Sequence, residues 1–178
     1  MFLAAALLAA TAGFAQDSAA AGNAPVPAAI HAAKRIFVSN AGGDSGLFPS
    51  PLSGDPNRAY DEFYTGLKGW GQYELVVDPA SADLVLEVQL TAPNGPSRAN
   101  KQLGTSDPVP MIRLVVYDEK THYVLWAFTR SIEVAMLQKT HDRNFDDAVT
   151  AILLDFGYRH TRLSGSGPAG FLRLRVGY

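Results

Sequence analysis

The chain has 178 residues, 15 Lys+Arg, 17 Asp+Glu, four His and no Cys. That is enough chain for one domain with its own core. A net charge of −2 argues against a generally basic nucleic-acid binder. The lack of Cys excludes disulfides, thiolate chemistry, thiolate-bound zinc and a thioether lipid anchor on these residues.

Residues 1–15, MFLAAALLAATAGFA, hold 13 apolar residues. The stretch is shorter than the roughly 20 residues a spanning helix needs. It fits the apolar part of an export signal, closing on the small residues Gly13 and Ala15. No Lys or Arg precedes Lys34, so a positive leader region is expected upstream and the signal reads as truncated. Residues 16–33 are Ala/Pro/Gly-rich, carry one charge and read as a flexible linker.

Ile36-Phe37-Val38 reads as the first strand, followed by a Gly/Pro/Ser-rich loop from Asn40 to Gly54. Asp55-Pro56 signals a helix start. Tyr60, Phe63, Leu67 and Trp70 then recur at helical spacing, with Gly71 as the stop. Tyr73–Val77 reads as a second strand. In residues 83–90, Leu84, Leu86, Val88 and Leu90 alternate with Asp83, Val85, Glu87 and Gln89, the pattern of a half-buried antiparallel strand.

Residues 91–110, with four Pro and two Gly, read as a long loop, a length that is usually functional or disordered. Met111–Asp118 and Tyr123–Ile132 form a hairpin around Asp118-Glu119-Lys120-Thr121-His122, where His122 takes the left-handed position. A second helix is expected from Asn144, with Asp147 completing a cap and Asp146 and Asp147 at its positive end. Phe145, Ala148, Val149, Ile152, Leu153 and Phe156 form its buried face. Residues 165–178 are a Gly/Ser spacer and an alternating strand, Phe171 to Tyr178. The expected fold is α+β: a mostly antiparallel sheet of four to five strands, two helices on one face, within residues 34–164.

The chemistry-bearing residues do not assemble into a catalytic set. Gly43-Asp44-Ser45-Gly46 looks like a serine-protease turn, but only His31 precedes it, and that chemistry needs a placed base and an orienting carboxylate. His141, Asp142, Asp146 and Asp147 form the densest candidate metal cluster. Capping accounts for its acids, and His31, His122, His141 and His160 show no ligand spacing. No metal and no cofactor are expected. Trp126 and Phe128 share a strand face and read as core. Leu172, Leu174, Val176 and Tyr178 alternate with Arg173 and Arg175, as in the closing strand of an outer-membrane barrel. About six short strands fall below the eight of ~9–11 residues that such a barrel needs. Docking on an edge or strand addition to a partner remains.

The run Leu67-x-x-Trp70-Gly71-x-Tyr73-x-Leu75-Val76, then Ala82-Asp83-Leu84-Val85-Leu86-Glu87-Val88, precedes Leu114-x-Val116-Tyr117-Asp118-x-x-Thr121-x-x-Val124-Leu125-Trp126. This resembles small bacterial envelope proteins: the curli-secretion-lipoprotein-like and penicillin-binding-protein-activator-like superfamily, and the N-terminal domain of the Tol-system β-propeller protein. The likeness covers about a third of the chain. His122 stands where those proteins have Gly, and their lipid-anchor Cys is missing. The resemblance implies an α/β envelope domain with a scaffold or accessory role and supplies no catalytic residue.

The resulting expectation is an exported, periplasmic or secreted, non-enzymatic protein. It would bind an envelope protein or cell-wall component, with no nucleic acid and no transmembrane segment in the mature chain, and outer-membrane association is compatible with it. Arg98 and Lys101 in the long loop and Arg173, Arg175 and Tyr178 in the tail are the candidate partner contacts. One alternative is a ligand-binding protein or hydrolase with a pocket at Asp44, Ser45, His141 and Asp142. Another is a structural subunit that assembles through edge strands.

Overall fold

The computed structural model describes residues 25–93 and 109–161, with side chains of the last helix described to Tyr158. Among the described residues three α-helices, α1 (Ala28–Ala32), α2 (Arg58–Trp70) and α3 (Gln138–Thr161), accompany five strands. The strands are β1 (Arg35–Gly43), β2 (Glu74–Leu75), β3 (Leu84–Thr91), β4 (Met111–Asp118) and β5 (Val124–Ser131). They form one sheet in the order β2-β1-β3-β4-β5. β1 pairs in parallel with β2 and β3, and β4 pairs antiparallel with β3 and β5.

The α+β class, the five strands and the two long helices on one face agree with the sequence. The sheet is mixed rather than mostly antiparallel. The cause is the crossover through α2, which returns the chain to β1 in the same direction, after which β3 enters on β1's other side. The alternation of β3 is as clean as the sequence implies. Leu84, Leu86, Val88 and Leu90 are at most 1% exposed. Opposite them on β4, Ile112, Leu114 and Val116 face the helices, with Phe128 beyond on β5. Phe63 and Leu67 of α2 and Phe145, Val149, Ile152 and Phe156 of α3 close this single core. Phe156 sits between Tyr73 and Phe128, with ring centroids 5.7 and 6.5 Å away. The other sheet face carries Val85, Glu87, Arg113, Val115 and Tyr117; among the described residues no helix packs on it, yet Val115 is 1% exposed.

The second strand, read as Tyr73–Val77, is only Glu74–Leu75, and four other boundaries differ from the sequence reading for a local reason. Residues 28–32, inside the expected linker, form α1, because Ile30 is buried against the core. β1 continues to Gly43, past the expected end at Val38, since its pairing with β3 runs from Ile36 to Gly43 through an irregularity after Asn40. Asp55 accepts from the Asn57 amide (2.7 Å), but α2 proper begins at Arg58. α3 begins at Gln138, six residues before Asn144, so Asp146 and Asp147 lie inside the helix and do not cap it. Asn144 instead donates to the Glu133 carbonyl (2.9 Å).

Other local readings hold. Gly71 ends α2 in the left-handed region (φ 68°), and His122 closes the hairpin at φ 59°. The Asp118 carboxylate accepts from the Thr121 amide (2.8 Å), which fixes that turn. Asp83 accepts from the amides of Lys34 and Arg35 (both 2.9 Å) and meets the Arg35 guanidinium (3.3 Å). It thereby ties the start of β3 to the start of β1.

That tie has a pH consequence. The amides of Arg35 and Lys34, and then the Arg35 side chain, hold the Asp83 carboxyl below its usual range. A carboxyl lowered in the fold stabilises it above the unfolded pKa, and that contribution is lost as pH falls through the folded value. The urea midpoint is therefore expected to fall once pH drops below about 4. In Asp83→Asn the midpoint should start lower and fall less over the same range. An equal acid slope in the variant would remove Asp83 as the cause.

Candidate functional site

β1, β3 and β5 run the same way, so their C-terminal ends and the start of β4 meet at one end of the sheet. Three connections emerge there: the 44–57 loop, the 94–108 segment and the 132–137 stretch leading into α3. The Val109 amide donates to the Pro93 carbonyl (2.9 Å) and the Ile132 amide to the Pro110 carbonyl (2.8 Å), so the described ends of the β3–β4 connection lie next to the end of β5. Loop termini gathered on a rigid sheet are where binding residues tend to sit.

The polar centre of this end is Arg58, at the first turn of α2. Its guanidinium meets Glu62 (2.6 Å) one turn on, and Asp142 (2.6 Å) and Asp146 (2.7 Å), one turn apart on α3. It also donates to the Ser53 carbonyl (3.1 Å) and stacks over the Phe145 ring at 4.4 Å. The arginine side chain is 15% exposed. Asp142 in turn accepts from the Ser53 amide (3.0 Å) and hydroxyl (2.8 Å). One planar cation thus clamps the 44–57 loop, α2 and α3 together, a task suited to the five fixed donors of arginine.

The three carboxylates are not equivalent. Burial raises Glu62 above its ordinary value despite its bond to Arg58, and the Asp146 charge pushes the same way. For Asp142, burial also acts upward, but the Ser53 amide, the Arg58 guanidinium and the Ser53 hydroxyl outweigh it and hold the carboxyl low.

The tetrad Asp44, Ser45, His141 and Asp142 is not brought together. Asp44 turns back on its own loop and accepts from the Gly46 amide (2.9 Å), capping the short turn Ser45–Leu47. His141 is 6% exposed, and its ring accepts from the Ala135 amide, 3.2 Å from Nε2. Asp142 belongs to the Arg58 clamp. No hydrogen bond or ion pair joins any two of the four. Among the described residues no group of three or more acidic or His side chains could hold a metal. Arg98, Lys101, Arg173, Arg175 and Tyr178 lie outside the described residues.

The sequence reading missed the clamp itself. Arg58 follows Asn57 on the expected helix, and Glu62 stands four residues on, a pairing visible in the sequence. The partners on α3 are more than 80 residues away and carry no local signal. Two further features are visible only in three dimensions. Val134, Met136 and Leu137, just before α3, are 69%, 102% and 69% exposed. Between α2 and α3 runs a groove of about 660 Å³, acidic at the Arg58 end and apolar toward Leu154.

No protein-family model matches the chain, and no curated protein matches it. Solved structures to which it is similar include the PelC dodecamer from Paraburkholderia phytofirmans, at 13% identity over 69% of this chain and 86% of that chain, TM-score 0.41. Protein XCC0632 from Xanthomonas campestris matches at 12% identity over 74% and 86%, TM-score 0.43. Lipoprotein GNA1162 from Neisseria meningitidis matches at 14% identity over 70% and 98%, TM-score 0.35.

Proposed function

We propose that this chain is an exported envelope protein without catalytic activity that binds a protein or cell-wall component. The contact surface is the loop end of the sheet at the 132–137 stretch, with Arg98 and Lys101, which lie outside the described residues, as its candidate charged contacts. The observation that carries this reading is the exposure of Val134, Met136 and Leu137 in four consecutive positions. Contiguous exposed apolar side chains are costly in water and mark contact sites. The apolar residues 1–15 support export. The polar residues of that end support a binding role, since Arg58 and Asp142 are already committed to the clamp.

The test is crosslinking capture from envelope extracts with residues 16–178 as bait. Met136→Asp with Leu137→Asp is expected to lower recovery of the captured species about ten-fold, as loss of an anchor side chain does. Arg98→Ala with Lys101→Ala should lower it less and make the remainder less sensitive to salt. Equal recovery by wild type and both double variants would refute the assignment.

A further inference from the structure

We infer that the groove between α2 and α3 is the seat of the chain's own residues 171–178. Both helices run from the Arg58 end toward the opposite end, so α3 delivers the chain, at Thr161, beyond the apolar mouth of the groove. Three independent features point to the tail as its occupant.

The first is reach. From Thr161 back to Asp146 is about 22 Å along the helix. Residues 162–170 span up to about 30 Å when extended. Phe171 and the residues after it can therefore lie anywhere along the groove, running antiparallel to α3.

The second is charge and its order. The far end of the groove carries Asp61, Glu62 and Asp146, and the single Arg58 faces more carboxylates than it can neutralise. The near end carries Val149, Leu153 and Leu154. Beyond Asp155 the chain contains no acidic residue, and its alternating segment places Phe171 and Leu172 before Arg173 and Arg175. A tail entering from Thr161 meets the apolar end with its apolar residues and the acidic end with its arginines. Arginine stems can lie along apolar wall while their heads reach the rim.

The third is the hand of the alternative. A strand formed by residues 171–178 parallel to β5 at its free edge would close a β5–α3 crossover. β1–α2–β2 uses the same sheet face but steps toward the other edge. The two crossovers would then have opposite hands, and parallel crossovers are right-handed almost without exception.

Because the chain lacks cysteine, disulfide trapping reads the proposal directly. Thr150 is exposed on the groove wall, and Thr129 is exposed on the sheet face away from the helices. In the otherwise intact chain, Thr150→Cys paired with Leu174→Cys should close within one molecule at least ~10-fold faster than Thr129→Cys paired with Leu174→Cys, reflecting a local concentration set by docking and not by tether length. Adding Arg173→Glu and Arg175→Glu should bring the groove pair down to the control rate. Equal rates for the two pairs would overturn the inference, as would a groove-pair rate untouched by charge reversal. Closure only between molecules would give the groove to a second copy and overturn the intramolecular assignment.

Discussion

Replacing Arg58 by Met is expected to destabilise the fold by about 2–4 kcal/mol, near the lower end of what breaking a buried ion pair costs, because this cluster is only partly buried. Met keeps an unbranched apolar stem but removes the guanidinium that stacks over Phe145, so the loss combines the ion pairs with that stacking. Glu62, Asp142 and Asp146 would then face one another with no cation between them. Protonation relieves that repulsion, so the gap between variant and wild type should narrow as pH falls from 7 toward 4. Urea unfolding at the two pH values measures it. A gap that stays constant would mean that lost packing, and not charge, is responsible. Arg58→Lys should recover only part of the loss, because an ammonium cannot address Glu62, Asp142, Asp146 and Ser53 in one plane.

The second large effect is expected at the end of β1. A Cβ on Gly43 would sit 2.3 Å from the carbonyl oxygen of Pro56 and 3.1 Å from its carbonyl carbon and Cα. Those are backbone atoms and cannot rotate away. Gly43→Ala should therefore cost about 2–3 kcal/mol, the upper part of the range for overpacking. The same substitution at Gly69, on the exposed side of α2 with nothing within 4 Å, should be neutral or stabilising. Thermal melts of the two variants side by side make the comparison. Similar shifts in both would show that the chain separates at Gly43 without difficulty.

What could be read from the residues alone was whatever has a short period or a single-residue cause. The alternation of Leu84 to Leu90, the helical stripe Phe63–Leu67, the αL stop at Gly71 and the αL position of His122 all have this character. The parallel pairing of β1 with β3 does not. It depends on where the chain re-enters the sheet after α2, and no local pattern records that. The start of α3 was misplaced because Gln138–Arg143 is polar and has no apolar period, while its helix is held by Asp142 reaching Ser53 and Arg58. Of the acidic residues read as caps or dipole partners, Asp142 and Asp146 belong to an interhelical ion cluster around Arg58. For the candidate surface, the sequence pointed to residues 94–108 through their length and composition. It could not show that the chain before the apolar 134–137 stretch is tied to Pro110, because the link is the hydrogen bond from Ile132 to Pro110.

The unequal strands at the two borders of the sheet bear on how this protein behaves when concentrated. β2 has two residues, so that border offers almost no backbone template. β5 has eight, and among the described residues its outer side is unpaired. Self-association by edge pairing therefore has one available direction. One feature opposes it: the register irregularity opposite Val116 and Tyr117, which bends the strand, while Arg130 lies on the helix-covered face and pairs with Asp155 of α3. The bend, more than any charge, thus guards this edge against cross-β stacking.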